Sequence, residues 1–523
     1  MKWPILLLGI FFLNMVAAGE YVLWPAAWLL PVLLVWVFRH YPRWYYFWIV
    51  VVVLGISNVI TLQGMTPLPV PVEAMFHLFV TLVALVPYWL DRRYHRRRQG
   101  FSSSLVLPVA MVLLEYVNTL TSPWGSWGAT AYTQADNLVL AQFAALFGIY
   151  GIGFLIYWTA ALVNNWYEQA SLRRMRNSLA AYLAVILFVV IYGSMQLSAT
   201  QASDSIRVAA IVKSNFELIG RVYKDHTGDE LDITRTVSQA SPEIMKAGPA
   251  MQDFFAHPSA ERYAKTRDLL HDIENEAFIL AEQAIENGAS VIAWFEGQFY
   301  GFGPQEDALI QRGREFAARH NVTLFMPMAI IDPEKIESQS PYFMKNQIVI
   351  IDRGGQIVHT YHKAKPVPGA EPVKPGDGLI PVIEVDDARL SAVICYDADF
   401  PQFMTQSGRK GTQILFIPSG DWFNIKRTHL DMARMRAIEN GVNVVRPANN
   451  GISSVIDSHG RLLKQINYFE HPNHTLMADV PVATRETFYS RNSEVFIYAM
   501  LVLALILFVD YLIALFRREV PNL

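Results

Sequence analysis

Hydrophobic positions fall into three regimes along the 523 residues. Up to about residue 200 the chain runs in long, nearly unbroken apolar stretches. From 203 to 490 apolar and polar positions alternate in short runs, and from 494 to 516 (EVFIYAMLVLALILFVDYLIALF) the long apolar pattern returns. A bilayer core takes roughly 20 apolar residues per crossing helix. On that measure the pattern predicts eight spans, at 4–18, 20–38, 44–62, 69–90, 102–121, 140–166, 179–198 and 494–516. The first is as short as the apolar part of a signal peptide. No small-residue cleavage site followed by soluble chain comes after it, so it reads as a retained helix.

Within 203–490 the pattern is that of short strands. SIRVAAIVKSN (205–215) alternates like a buried strand. ASVIAWFEG (289–297), NVTLFMPMAII (321–331), NQIVIIDRGGQIVHTYHK (346–363), LSAVICY (390–396) and TQILFIPSG (412–420) are further apolar runs between turn residues. HLDMARMRAIENG (429–441) reads as a helix that stops at Gly441, after which VNVVRPANNGISSVIDSHGRLL is strand-like again. DRGGQ and DSHGR put glycine where a hairpin turn needs positive φ. A long polar, helix-prone segment, 216–285, precedes the second strand. Strands interleaved with helices predict a layered α/β domain. The expected organisation is a seven-span bundle over 1–200, an α/β domain over 203–490 and a closing helix over 494–516.

Charge then sets orientation. A net charge of −3 carries no overall signal for nucleic acid. The basic residues are clustered: RHYPR (39–43), RRYHRRR (92–98), RRMR (173–176) and RR (517–518) follow spans 2, 4, 6 and 8. With eight spans all four clusters, and Lys2, lie on one side, and positive loops stay in the cytoplasm. The α/β domain is then extracytoplasmic, and the expected location is a bacterial inner membrane with that domain facing the periplasm. WYYFW (44–48) and PWGSW (123–127) predict an aromatic belt at the interface. Glu115 and Asp510 are acids within predicted spans, where a partner or a use is needed. Hydrogen bonds between helices are expected there.

Three polar residues stand at predicted strand ends: Glu296 after VIAWF, Lys363 after IVHTYH, and Cys395 after LSAVI. Cys395 is the only cysteine, so no internal disulfide can form. Each residue alone has an ordinary reading, as buried filler, a solvated strand end or a surface lysine. Strand ends in layered folds converge on one rim, and there the three make a specific chemistry possible. A carboxylate can take the proton of a thiol. An ammonium favours both the thiolate and the oxyanion formed when it attacks a carbonyl. Backbone N–H groups from Tyr396 onward are candidate second donors. The sum is covalent acyl transfer through a thioester.

Glu…Lys…Cys in this order resembles the nitrilase, or carbon–nitrogen hydrolase, superfamily. Placed between seven N-terminal spans and one C-terminal span, it resembles more closely the apolipoprotein N-acyltransferase family, over nearly the whole chain. SPWGSWGATAYTQADNLVLAQFAALFGIYGIGFLIYWTAALV, YHKAKPVPGAE, ICYD and MARMRAIENGVNVVRPANNGISSVID match that family's segments in order. The resemblance implies an αββα sandwich beside a multi-pass helical bundle. It implies Cys395 as nucleophile, Glu296 as general base, Lys363 as oxyanion stabiliser, and Glu371 as a second pocket glutamate. Tyr396 and Asp397 follow the nucleophile as supporting residues. It also implies a ping-pong reaction. An acyl chain passes from the first position of a phospholipid to Cys395, then to the α-amine of a diacylglyceryl cysteine on an apolipoprotein. A monomer in the bilayer, without metal or soluble cofactor, is expected.

The chain departs from the family where W-P-E is WFE, P-F-G-E is PGAE and I-C-Y-E is ICYD. Three other readings stand beside the acyltransferase: a membrane-tethered amidase or nitrilase, a transferase with another amine acceptor, and a scaffold without catalysis. Asp397 is expected to orient Lys363 by an ion pair or to support the pocket, and Arg434 and Arg436 to make structural salt bridges.

Overall fold

The computed structural model describes residues 2–19, 21–41, 43–169, 172–198, 204–231, 233, 241–483 and 485–516. The arginines at 517–518, residues 232 and 234–240 of the long polar segment, and the side chains of Lys2, Arg173 and Arg174 lie outside the described residues. The chain forms two compact units, one of Met1–Gln63, Pro69–Ala199 and Thr487–Leu523, the other of Gly64–Leu68 and Thr200–Glu486.

The first unit is helical. Among the described residues six helices are long and apolar enough to cross a membrane, and two shorter apolar ones precede them. The short pair, α1 (Lys2–Ala17) and α2 (Ala26–His40), have 16 and 15 residues. At 1.5 Å per residue they rise about 24 and 22 Å, less than an apolar core of about 30 Å. Helix α1 matches the length expected over 4–18 to within a residue, whereas α2 is shorter than the span expected over 20–38, because Gly19 (φ 81°) turns the chain after α1 and Pro25 stands directly before α2.

The third helix, α3, is Trp44–Thr61. The fourth span is longer than expected, and broken. Its two parts, α4 (Val70–Ala84) and α5 (Val86–His95), abut at Leu85, where Pro87 has no N–H to continue the ladder. The basic stretch RRYHRRR therefore starts within a helix, with Arg92, Arg93 and His95 in the last turn of α5. Next come α6 (Phe101–Thr121), α7 (Leu138–Ala141), α8 (Ala144–Gln169) and α9 (Leu172–Ser198), and the chain closes with Val495–Phe516. Gly148 interrupts α8 at φ 65°, and a Cβ there would lie 2.4 Å from the Tyr489 ring.

Several charged side chains of this unit are buried and paired. Arg39 donates to both oxygens of Asp91 at 2.7 and 2.9 Å and to Asn165 at 2.7 Å. His95 lies 2.5 Å from Glu168. The acids within the spans also have partners: Thr130 donates its hydroxyl to Glu115 at 2.8 Å, and Asp510 meets Arg98 at 3.2 Å and the Tyr94 hydroxyl. Trp124 of PWGSW is buried, so it does not belong to the expected aromatic belt, whereas Trp44 is 75 % exposed.

The second unit is an αββα sandwich. One sheet runs, in spatial order, His474–Pro481, Ser205–Val212, Val291–Trp294, Thr323–Ile331, Met344–Ile351 and Ile357–His362, with Phe299–Phe302 beside Thr323–Ile331. The other runs Leu462–Asn467, Ile452–Ile456, Asn443–Arg446, Ile414–Phe416, Ala388–Ala392 and Ile383–Val385. The predicted hairpin forms, with Met344–Ile351 antiparallel to Ile357–His362 across Gly355 at φ 76°.

Period-two alternation assigns the two faces. Ile206, Val208, Ala210, Val291 and Phe325 point between the sheets, against Leu390, Ile414, Phe416 and Val444 of the other sheet. The rings of Phe325 and Phe416 stack there at 4.0 Å. Ala209, Ile211, Ile292, Leu324 and Met326 face outward, onto Ala277, Phe278, Ala281 and Phe316 of the helices Ala264–Glu286 and Glu306–His320. The long polar segment folds, where described, into Glu217–Thr227, Pro242–Ala256 and all but the last residue of Ala264–Glu286, and Leu218, Val222, Phe254, Tyr263 and Leu270 share one cluster there.

Candidate active site

Strand ends bring the site together, as their convergence on one rim of a layered fold implied. Glu296 lies just past Val291–Trp294, Lys363 directly follows Ile357–His362, and Cys395 lies just past Ala388–Ala392. Parallel pairing of Ala388–Ala392 with Ile414–Phe416 sets the next loop, carrying Gly420 and Asp421, beside Cys395.

Lys363 is fully buried. Its Nζ donates to Glu296 Oε1 at 2.7 Å and to Glu371 Oε1 at 2.6 Å. Asn346 Nδ2 also donates to Glu296 Oε1, at 2.7 Å, and the Gly420 N–H donates to Glu296 Oε2 at 2.9 Å. The other Glu371 oxygen accepts the Val367 N–H at 2.8 Å. Burial works against the Lys363 charge, but Glu296, Glu371 and then Cys395 outweigh it and hold its pKa well above the ordinary lysine range. Burial raises the Glu371 pKa, opposed by Lys363.

Cys395 is 7 % exposed. Its backbone φ is 46°, in the left-handed region that a residue with a Cβ occupies at a cost of roughly 1–3 kcal/mol. The Cys395 N–H donates to Pro418 O at 2.9 Å and fixes the bend, and the sulfur lies 3.8 Å from Gly420 O. Gly420 thus links the thiol to Glu296, since its N–H donates to that carboxylate. Burial, then the Glu296 charge, pushes the thiol pKa well up, with Lys363 pulling against them. The resting pair is therefore a neutral thiol beside an ion-paired carboxylate. Such a pair moves its proton when a carbonyl carbon is in reach of the sulfur.

Tyr396 is buried, its ring edge-on to Phe400 at 5.3 Å. Asp397 is also buried, and its hydrogen bonds go elsewhere than the expected lysine. It accepts from Tyr361 Oη (2.7 Å), Ile394 N–H (2.9 Å) and Lys365 N–H (2.7 Å). It therefore holds the turn after the cysteine and the segment after Lys363, and Lys363 reaches it only through space. Burial raises its pKa to about 7. Arg436 pairs with Glu439 at 2.9 Å and Arg434 with Asp431 at 3.3 Å, as structural salt bridges.

Sequence reasoning missed a second charged layer behind the sulfur. The Cys395 sulfur, an Asp421 oxygen and a His429 nitrogen lie within 4.8 Å of one another. Zinc accepts such a donor set. Here, however, Arg446 Nη2 donates to both Asp421 oxygens at 2.7 Å, and His429 Nδ1 is 2.8 Å from Oδ1. With Asp399 3.3 Å from His429 Nε2, the group is an ion-pair chain whose acids are already compensated. Burial opposes charge on His429, but Asp399 and Asp421 raise its pKa to about 9. One signal was legible: Lys426–Asn440 mixes charged and apolar residues on every face with no apolar stripe of its own, and the structure buries nearly all of it. A polar helix inside a domain holds partners rather than facing water.

Two family models match the chain. Residues 10–162 match the apolipoprotein N-acyltransferase N-terminal domain, and residues 265–489 match the carbon–nitrogen hydrolase domain. Among curated relatives, the apolipoprotein N-acyltransferase of Geobacter metallireducens is 25 % identical over 460 residues, covering 85 % of this chain and 81 % of that one. The protein of the same name from Rhodopseudomonas palustris is 24 % identical over 447 residues, covering 80 % and 74 %. The one from Shewanella oneidensis is 32 % identical over a shorter stretch of 123 residues, 23 % of each chain.

Proposed function

The chain belongs to the apolipoprotein N-acyltransferase family, and from that premise we propose that it moves an acyl chain from a phospholipid to the N-terminal amine of a diacylglyceryl-cysteine lipoprotein. The observation that carries the proposal is the buried Cys395, held in a left-handed turn, with Glu296 and Lys363 bonded to each other on the far side of Gly420.

In the first half-reaction the Cys395 thiol proton passes to Glu296 as the sulfur attacks the ester carbon. Two N–H groups of Lys363 are committed to the glutamates, and the third is the donor for the oxyanion. The C–O bond breaks, and the leaving lysophospholipid oxygen takes the proton from Glu296. The lipoprotein amine then attacks the thioester carbon and gives its proton to Glu296. The C–S bond breaks and Glu296 returns that proton to the sulfur. Glu371 keeps the buried ammonium compensated while Glu296 is neutral. The catalytic unit faces the periplasm and the arginine clusters face the cytoplasm.

The test is a trapping experiment. Full-length protein incubated with phospholipid forms an acyl adduct on Cys395 that hydroxylamine removes, and a diacylated lipopeptide discharges it into triacylated product. The Cys395→Ala protein forms none. Absence of the adduct, or turnover of short amides by water alone with no lipid present, would overturn the proposal, the latter in favour of an amidase.

A further inference from the structure

The helical unit carries a cavity that is both basic and aromatic. The cavity, of about 420 Å³, is lined by Trp44, Phe47 and Trp48 of α3 and by Val86, Trp89, Arg92, Arg93 and Arg96 on and just after α5. That size is in the range of small-ligand sites, roughly 300–1,000 Å³. Among the described residues the lining has three arginines and no acid. The nearest acid in sequence, Asp91, is spent on Arg39, which binds both its oxygens at 2.7 and 2.9 Å. The Arg93 guanidinium sits over the Trp89 ring, 4.7 Å from its centroid, which presents the cation beside an indole. Among the described residues no side chain caps the start of α3, so its first-turn N–H groups add positive potential at the same end.

From this pocket an apolar track runs along α3. Trp48, Val52, Ile56 and Ile60 recur at four-residue spacing and are each about half exposed. A ligand matching both features has a phosphodiester at one end and a long hydrocarbon chain at the other. Fixed guanidinium forks suit phosphate oxygens, and tryptophans suit the glycerol level of a bilayer.

We propose that this pocket binds the headgroup of an anionic diacyl phospholipid of the phosphatidylglycerol class, with one acyl chain along the Trp48–Ile60 track. The arginines hold the phosphodiester and discriminate against a choline headgroup, whose ammonium they repel. The bound lipid anchors the α3–α5 end of the unit in a negatively charged leaflet.

The test uses the full-length protein reconstituted in vesicles of equimolar phosphatidylglycerol and phosphatidylcholine, re-extracted gently, with retained lipid counted by native mass spectrometry. Phosphatidylglycerol should be retained over phosphatidylcholine by on the order of tenfold or more, given three arginines at the headgroup. The triple variant R92Q/R93Q/R96Q should lose that preference while eluting as a single species in gel filtration. The variant W48L/W89L, which leaves every charge in place, should retain less of both lipids, and it decides the matter if the triple variant does not fold. Inorganic phosphate should not displace the lipid. Equal retention of the two lipids, an unchanged preference in the triple variant, unchanged retention in W48L/W89L, or displacement by inorganic phosphate would each overturn the proposal. The readout does not involve Cys395, so it fails or succeeds separately from the acyl-transfer reading.

Discussion

Lys363 is the side chain on which the site's electrostatics turn. It is the cation between Glu296 and Glu371, with no exposed surface of its own. Breaking a buried ion pair by removing one partner costs about 3–5 kcal/mol, because the other charge stays buried and alone. Lys363→Met is therefore expected to lower the melting temperature clearly and to abolish the Cys395 adduct. Lys363→Arg should not restore the adduct, since a planar fork cannot replace a compact ammonium between two carboxylates. Thermal unfolding and thioester yield check both. Asp397 gives a pH signature. Its pKa is raised to about 7 in the fold, so the folded state holds a proton that the unfolded chain releases near pH 4. Stability from this group is present below that pH and is lost as pH rises through about 7. Melting temperature against pH should therefore flatten over that interval in Asp397→Asn. His429 has the same sign for another reason: its raised pKa, about 9, keeps a positive charge near the sulfur. In His429→Gln the pH midpoint of Cys395 alkylation by iodoacetamide should move up by about one unit, while a merely structural role would leave it unmoved.

At the scale of elements, the strands set the site and a few close approaches hold it. A Cβ on Gly451 would come within 2.3 Å of Asp421 Oδ2, so the loop after Ala448–Asn449 tolerates no side chain beside the Arg446–Asp421 pair. In the helical unit the ion pair Arg39–Asp91 joins α2 to α5, and Asn165 adds α8. Arg39→Met should destabilise that unit by about 3–5 kcal/mol, read as a lower melting temperature in detergent, because Asp91 stays buried without its cation. Changing the exposed Arg97 to Gln should leave it within experimental error. The strands near the site were legible as short apolar runs between turn residues, because Val291–Trp294, Thr323–Ile331 and Ala388–Ala392 are buried at nearly every position. The strand His474–Pro481 is absent from the sequence-based expectation. What defines it is pairing with Ser205–Val212, more than two hundred residues earlier, and no local pattern encodes that partner. The broken spans were also hidden, since hydropathy counts apolar residues whether or not Pro87 or Gly148 interrupts the ladder.

For the whole molecule, the placement of arginines predicts a membrane orientation that chemistry in cells can read. In a Cys395→Ala background, Ser338→Cys in the catalytic unit should react with a membrane-impermeant maleimide in intact spheroplasts. Gln99→Cys, between α5 and α6, should react only after permeabilisation. The reverse pattern would invert the proposed topology.

Composition and hydropathy by themselves determined that the chain has apolar helices flanking a layered α/β domain. Both properties are local, as each depends on which residues recur at what spacing. The order of motifs also singled out Glu296, Lys363 and Cys395. Only the tertiary structure decided that Glu371 shares Lys363 with Glu296, that Asp397 braces a turn rather than the ammonium, and that Asp421, His429 and Arg446 stand behind the sulfur. It likewise decided that Arg39 is buried while Arg93 lies open beside a tryptophan. The reason is the same in each case. A charged residue's role is set by what desolvates it and what sits within a few ångströms, and those neighbours come from distant parts of the chain.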